Sequence, residues 1–261
     1  MGVPQFGAVN WIGVGTLARR EIIRFVKVYG QTLGAPVATA ALFLAVFTFA
    51  LSGLRGEIAG LPYIEFLAPG VVMMTVIQNA FANTSSSVMI AKIQGSIVDS
   101  LMPPLTSAEL TFGFMIGGVA RGVILALVCA AVLFPIAGVG LAYPLWALFF
   151  TLAGATMLAL LGVIAGVWAQ KFDHMASITN FIITPLSFLS GTFYSIEALP
   201  PTWAAVSHWN PFFYLIDGFR YGVVGVGDAN PWIGALVSLA LITALWGACW
   251  RLFETGYRLK G

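Results

Sequence analysis

The sequence predicts an all-α membrane protein with six transmembrane helices, an amphipathic helix before the first, and an outer re-entrant helical hairpin before the last. Three observations carry this reading. Of 261 residues, 59% are hydrophobic and 8% charged. A soluble domain averages about 25% charged residues, so too little polar surface exists here to cover a water-soluble globule. Six runs approach the roughly 20 apolar residues that cross a bilayer as a helix. On the resulting topology nine of the twelve cations share one side, Arg55 and Arg220 take the other, and Arg121 lies within a span. That bias places both termini in the cytoplasm.

Residues 10–31 make the first element. Trp11, Ala18, Ile22, Phe25 and Tyr29 share one face of a helical wheel, and Arg20, Arg24, Lys27 and Gln31 share the opposite one. A basic helix of this kind is expected in the inner membrane interface, against lipid. No compact apolar stretch with a small-residue cleavage site marks a signal peptide in the first 30 residues. The first span is 33–51. The second, 66–91, is uncharged but places Thr75, Asn79, Asn83 and Ser87 four residues apart on one face. Such a face must meet protein or water, either as glue between helices or as the lining of a translocation path.

The cytoplasmic segment 92–103 reads as a short helix with Ile93, Ile97 and Leu101 on one face and Asp99 elsewhere on the wheel; Pro103-Pro104 stops it. Held between two spans, it suits a lever that docks a partner or a connector resting on lipid. Thr106-Ser107-Ala108-Glu109 is a capping-box pattern that opens the third span, 110–134. Arg121 lies mid-way along that span. An arginine there costs roughly 2.5–3.5 kcal/mol on insertion scales, and no acid lies one turn away, so its partner must come from another helix or another subunit. Gly113/Gly117, Gly118/Gly122 and Gly162/Gly166 are small-residue pairs that allow helices to approach closely.

A turn between Pro135 and Pro144 precedes the fourth span, 144–169. The fifth is 175–193 and the sixth 231–250. Between these two, 195–220 is apolar but broken by Pro200-Pro201 and Asn210-Pro211. Its pieces are too short to cross and read as outer re-entrant helices, with Trp203 and Trp209 at headgroup level. Residues 1–261 thus form a single transmembrane domain.

Several chemistries find no support. None of the four lysines is followed by Ser or Thr, so a Walker phosphate loop is absent. His174 and His208 share no ligand spacing, and no metal or cofactor is expected. Cys129 and Cys249 lie in apolar runs as small hydrophobes. A net charge of +2 offers no nucleic-acid footprint. Gly225-Val226-Gly227-Asp228 matches an intramembrane aspartyl protease string, but that chemistry needs a second carboxylate within the membrane. Ser190 and His208 lack a group to orient the histidine. An ion-coupled carrier would need ionisable residues near the midplane of several spans.

Three stretches in order resemble the permease subunits of the ABC-2 family of ABC exporters. They are Phe66-Leu-Ala-Pro-Gly-Val-Val-Met-Met74; Lys92-Ile-Gln-Gly-Ser-Ile-Val-Asp-Ser-Leu-Met-Pro103 with Ser107-Ala-Glu109; and Pro185-Leu-Ser-Phe-Leu-Ser-Gly-Thr-Phe-Tyr194 continuing through Asn210-Pro211 to Gly218-Phe-Arg-Tyr-Gly222. The likeness runs over nearly the whole chain and is nearest to enterobacterial inner-membrane members. It implies a bacterial inner-membrane permease without enzymatic activity of its own. Its expected partners are a separate ATP-binding-cassette ATPase and a second permease subunit, as a homodimer. It implies that Ile93, Ile97, Asp99, Leu101 and Pro103 couple to the ATPase, and that the N-terminal helix with Arg20, Arg24 and Lys27 lies nearby. Asn79, Asn83 and Arg121 are the expected pathway or dimer-interface residues, and the cargo an amphiphile: a drug, a lipid or a lipid-linked oligosaccharide. Pro103-Pro104-Leu105 departs from the family's usual single proline followed by valine.

Overall fold

The computed structural model describes residues 9–51 and 57–259; Arg55 and Lys260, placed above by charge, lie outside them. Helix α1 (Trp11–Val26) starts at Asn10, whose side chain accepts the Gly13 N–H. A π turn (Gly30–Gly34) links it to α2 (Ala35–Leu51). A short antiparallel hairpin, β1 (Glu57–Ile58) with β2 (Leu61–Pro62), leads into α3 (Tyr63–Ile93). Then come α4 (Ile97–Leu101), α5 (Ser107–Ala137) and α6 (Pro144–Trp168). Among the described residues, five helices are long and apolar enough to cross a membrane: Gly30–Ala50, Tyr63–Ile93, Ser107–Ala137, Pro144–Trp168 and Pro231–Thr255. The last of these is α11.

The expected fifth span, 175–193, is shorter and interrupted. It consists of α7 (Phe172–Ile178), a π turn (Thr179–Ile183) and α8 (Thr184–Phe188). It stops early because the Ser190 and Thr192 hydroxyls donate to the Ser187 carbonyl at 2.5 and 2.9 Å. Gly191 between them takes a φ of +72°, a turn that a side chain would oppose. Different partners hold the two ends of this stretch. Trp168 and His174 meet beside the α4 end, whereas Phe193 stacks on Phe47 and accepts the Tyr63 hydroxyl at 3.2 Å beside the hairpin.

Helices α3 and α6 form the centre. The Thr84 hydroxyl donates to the Ala159 carbonyl at 2.8 Å, and Gly162 gives Thr84 its room. The small-residue pairs do what their spacing suggests. Gly118 and Gly122 face Ala159 and Ala155, and Gly166 faces Val88. The capping box at the start of α5 is complete: Thr106 accepts the Glu109 N–H, and the Glu109 carboxylate accepts the Thr106 N–H at 2.7 Å. This helix runs past Pro135 to Ala137, since a proline in the last turn forfeits a single bond, and Gly138 at φ +72° ends it.

Helix α1 keeps part of its wheel: Ala18 and Phe25 are buried, but with Val14, Leu17 and Glu21 rather than with Trp11 and Tyr29, which are exposed. Leu17 rests on Gly113 and Glu21 on Gly117, where an added Cβ would stand 2.5 Å from the Glu21 Cβ. The inward face of α1 is thus selected by a glycine trough on α5, which admits a glutamate that hydrophobicity alone would turn outward.

The segment before α11 forms α9 (Pro201–Trp209) and α10 (Pro211–Val224), each begun by a proline whose missing N–H would be unpaired there anyway. The sequence ends this region at 220; α10 continues one more turn to Gly225, at φ +78°. Trp203 and Trp209 are exposed. Arg220, expected as an outer cation, is instead 1% exposed. Its guanidinium lies 3.9 Å over the Phe66 ring and 3.5 Å from Asp217, and donates to the Gly191 and Phe66 carbonyls. Asp217 in turn accepts the N–H groups of Asp228 and Ala229 at 2.8 and 2.9 Å.

Candidate transport groove and coupling face

Arg121 finds its partner on another helix of the same chain: its Nη2 donates to the Asn79 Oδ1 at 2.6 Å. Asn79 is aimed by its own Nδ2, which donates to the Thr75 carbonyl at 2.9 Å. Both line a groove of about 650 Å³ between α1, α2, α3 and α5, together with Arg24, Thr75, Gln78 and Ser86. Among the described residues, none lining it is acidic. The polar face of α3 therefore divides. Thr75 and Asn79 meet the groove, while Asn83 is fully buried and its Oδ1 and carbonyl accept the Arg24 Nη2 at 3.1 and 2.6 Å.

A second groove, about 590 Å³, adjoins the first and shares Arg24 and Ile90 with it. Arg20, Lys27, Glu21 and Ser87 also line it, and it ends at Gln94 and Ser96. The three cations of α1 named from the sequence therefore converge on one groove wall. Glu21, which sequence reasoning missed, organises two of them: its carboxylate lies 3.0 Å from Arg20 Nη2 and 3.4 Å from Arg24 Nε. The available signal was its place one residue after Arg20 and three before Arg24, within reach of both.

At the other end of this chain of contacts, Arg20 Nη1 donates to the Ser100 hydroxyl on α4 at 2.8 Å. One continuous set of polar contacts then runs from α4 through Arg20, Glu21 and Arg24 to Asn83. The base of α1 is tied down as well, since the Asn10 N–H donates to the Glu109 carboxylate at 2.6 Å. Glu109 thus joins the starts of α1 and α5.

The segment 92–103 is not the continuous helix expected. Helix α3 carries on through Ile93, and Gly95 at φ +73° breaks it before α4. The break rotates the two pieces against each other. Ile97 is buried (3% exposed) in a cluster with Leu17, Val88 and Phe114, and Leu101 packs against that cluster. Ile93, Val98, Asp99, Met102 and Pro103 are exposed. Lys92 also turns inward: its ammonium donates to the carbonyls of Gly166, Val167 and Ala169. Three carbonyls left over at the end of α6 thereby gain a cation, which the helix dipole favours. Arg258 adds to this cap through the Trp168 carbonyl at 2.9 Å.

Two motifs resolve into turns. Asp228 accepts the Ser195 hydroxyl and the Ile196 N–H at 2.9 and 2.8 Å, so it pins the start of the segment that leads to α9. Ser190 bonds Ser187 while His208 lies against Phe213 and Tyr214, and the two are not brought together.

Comparison with known proteins matches residues 13–224 to the family model described as ABC-2 type transporter. The chain is 36% identical over 251 residues to the inner membrane transport permease YadH of Escherichia coli strain K12, covering 96% of this chain and 98% of that one. It is 24% identical over 238 residues to nodulation protein J of Neorhizobium galegae, with 88% of each chain covered. Against nodulation protein J of Sinorhizobium fredii it is 26% identical over 216 residues, covering 81% and 80%.

Proposed function

This chain belongs to the ABC-2 type transporter family, and from that premise we propose that it is the membrane-spanning permease subunit of an ATP-driven exporter of amphiphilic molecules. ATP hydrolysis takes place on a separate ATP-binding-cassette subunit, and two permease copies form the path. The protein works in a bacterial inner membrane with both termini in the cytoplasm. There α7 and α8, with the turn that follows, make the fifth of six crossings, and α9 and α10 dip in from outside.

One observation carries this reading: the contacts that join the exposed α4 to the groove, Ser100 to Arg20 at 2.8 Å and onward through Glu21 and Arg24 to Asn83. A partner that grips Val98, Asp99 and Met102 moves Ser100 with them, and α1 follows because Arg20 and Glu109 tether it. Arg24 and Arg121 then change their spacing across the groove. Such a shift alters affinity for cargo only if the two states contact it differently, and groups lining the groove wall supply that difference.

The test is purification in nanodiscs with candidate ATPases. A stoichiometric ATP-binding-cassette subunit with vanadate-sensitive hydrolysis is the expected result; a chain that stays alone beside every candidate overturns it. Cysteines at positions 57 and 99 test the orientation, with labelling from outside at the first and only from inside at the second.

A further inference from the structure

The charge arrangement of the two grooves is unbalanced. Arg20, Arg24, Lys27 and Arg121 line them, against the single carboxylate of Glu21. That carboxylate is already committed to Arg20 and Arg24. Arg121 has no ion pair among the described residues. Its one bond goes to a neutral amide, and its Nε is buried without a hydrogen-bond partner. A guanidinium carries five donors in a planar fork suited to phosphate oxygens. Within a low-dielectric wall, an uncompensated cation with spare donors favours an anion over any neutral head. Lipid tails find apolar walls nearby, since Phe43, Val71 and Met74 line the same groove as Arg121.

We propose that the adjoining grooves form one track for a phosphate-bearing head group, entered beside Lys27 and Arg20 and ending on Arg121. The cargo class is then an anionic amphiphile. Arg121 is its terminal contact, and Asn79 is the residue that positions the guanidinium. This deepens the permease reading and rests on it for its meaning in transport. The binding itself is measured on the purified chain without any ATPase. Failure to capture an ATPase therefore leaves the track standing, and loss of binding leaves the ATPase result standing.

The experiment titrates the chain, in a non-ionic detergent, with dihexanoyl phosphatidic acid, dihexanoyl phosphatidylcholine and inorganic phosphate, read by calorimetry. Phosphatidic acid should bind at least about tenfold more tightly than phosphatidylcholine, the scale of one charge-assisted hydrogen bond. Arg121→Gln should remove that preference, and Arg121→Lys should keep part of it, because charge survives while the fork is lost. Gln78→Glu sets a carboxylate in the groove with every arginine intact; it should weaken phosphatidic acid binding even if Arg121→Gln does not insert. Inorganic phosphate that binds weakly and competes poorly assigns the track to a lipid head group. Equal affinity for free phosphate keeps the anion site and assigns it to a soluble phosphate. Equal binding of the two lipids, or a preference untouched by Arg121→Gln and Gln78→Glu but lost in Arg20→Gln with Lys27→Gln, overturns the proposal in favour of a basic membrane-facing surface.

Discussion

Two arginines on different helices, Arg220 fully buried and Arg121 half-buried, sit under opposite conditions. Arg220 is met by an acid, an aromatic face and two carbonyls, and its Nη1 has the ion pair with Asp217 but no hydrogen bond. Arg121 has one amide partner and opens onto a groove. The first cation holds α10 against α3 through Phe66, and removing it would also leave Asp217 buried without its counterion. The second holds nothing comparable together, and its unspent donors face space that a ligand can enter. What separates the two is the counter-ion: Asp217 faces Arg220, and among the described residues no carboxylate pairs with Arg121. Helix α4 divides as well: Ile97 is buried in the core and Val98, one residue on, is exposed.

Four changes test that contrast. Arg220→Met should cost about 3–5 kcal/mol, the penalty for orphaning a buried charge, seen as a large drop in the thermal midpoint of the detergent-solubilised protein. If stability is retained, Arg220 is not the clamp described here. Ile97→Asp should cost about 2–4 kcal/mol by placing a carboxylate in an apolar cluster, and should lower the yield of folded chain rather than ATPase docking alone. Thr106→Ala removes one half of the capping box and should cost about 1 kcal/mol, measured by the same melt. Val98→Asp with Met102→Asp lies at the far end of the scale. Stability should stay within about 0.5 kcal/mol while ATPase capture falls at least about tenfold; capture that survives would move the docking face away from α4.

Much of this was legible in the chain before folding. The capping box at Thr106 and Glu109, the proline starts of α9 and α10, and the glycine pairs each act within a few residues or on a single helix face, and each is found as spacing predicts. Asn79 and Arg121 could be named as candidates because an amide or a cation in an apolar span has few places to go. Their mutual bond could not, since the register of α3 against α5 depends on how Gly118 and Gly122 seat α6 and α3. Lys92 looked like a cytoplasmic cation, yet it caps α6, because the end of a distant helix arrives beside it.

Composition and hydropathy were sufficient for the class of protein and for five of its apolar helices, because those depend on transfer from water to lipid residue by residue, and three ordered stretches carried the resemblance to a permease. Which face of α1 turns inward, which side of α4 is free, and what surrounds Arg220 depended on packing. A glycine trough on α5 drew Glu21 inside, the cluster of Leu17, Val88 and Phe114 took in Ile97, and the Phe66 and Gly191 carbonyls closed on Arg220. Each is a contact between segments far apart in sequence, set by a shape that no single segment contains.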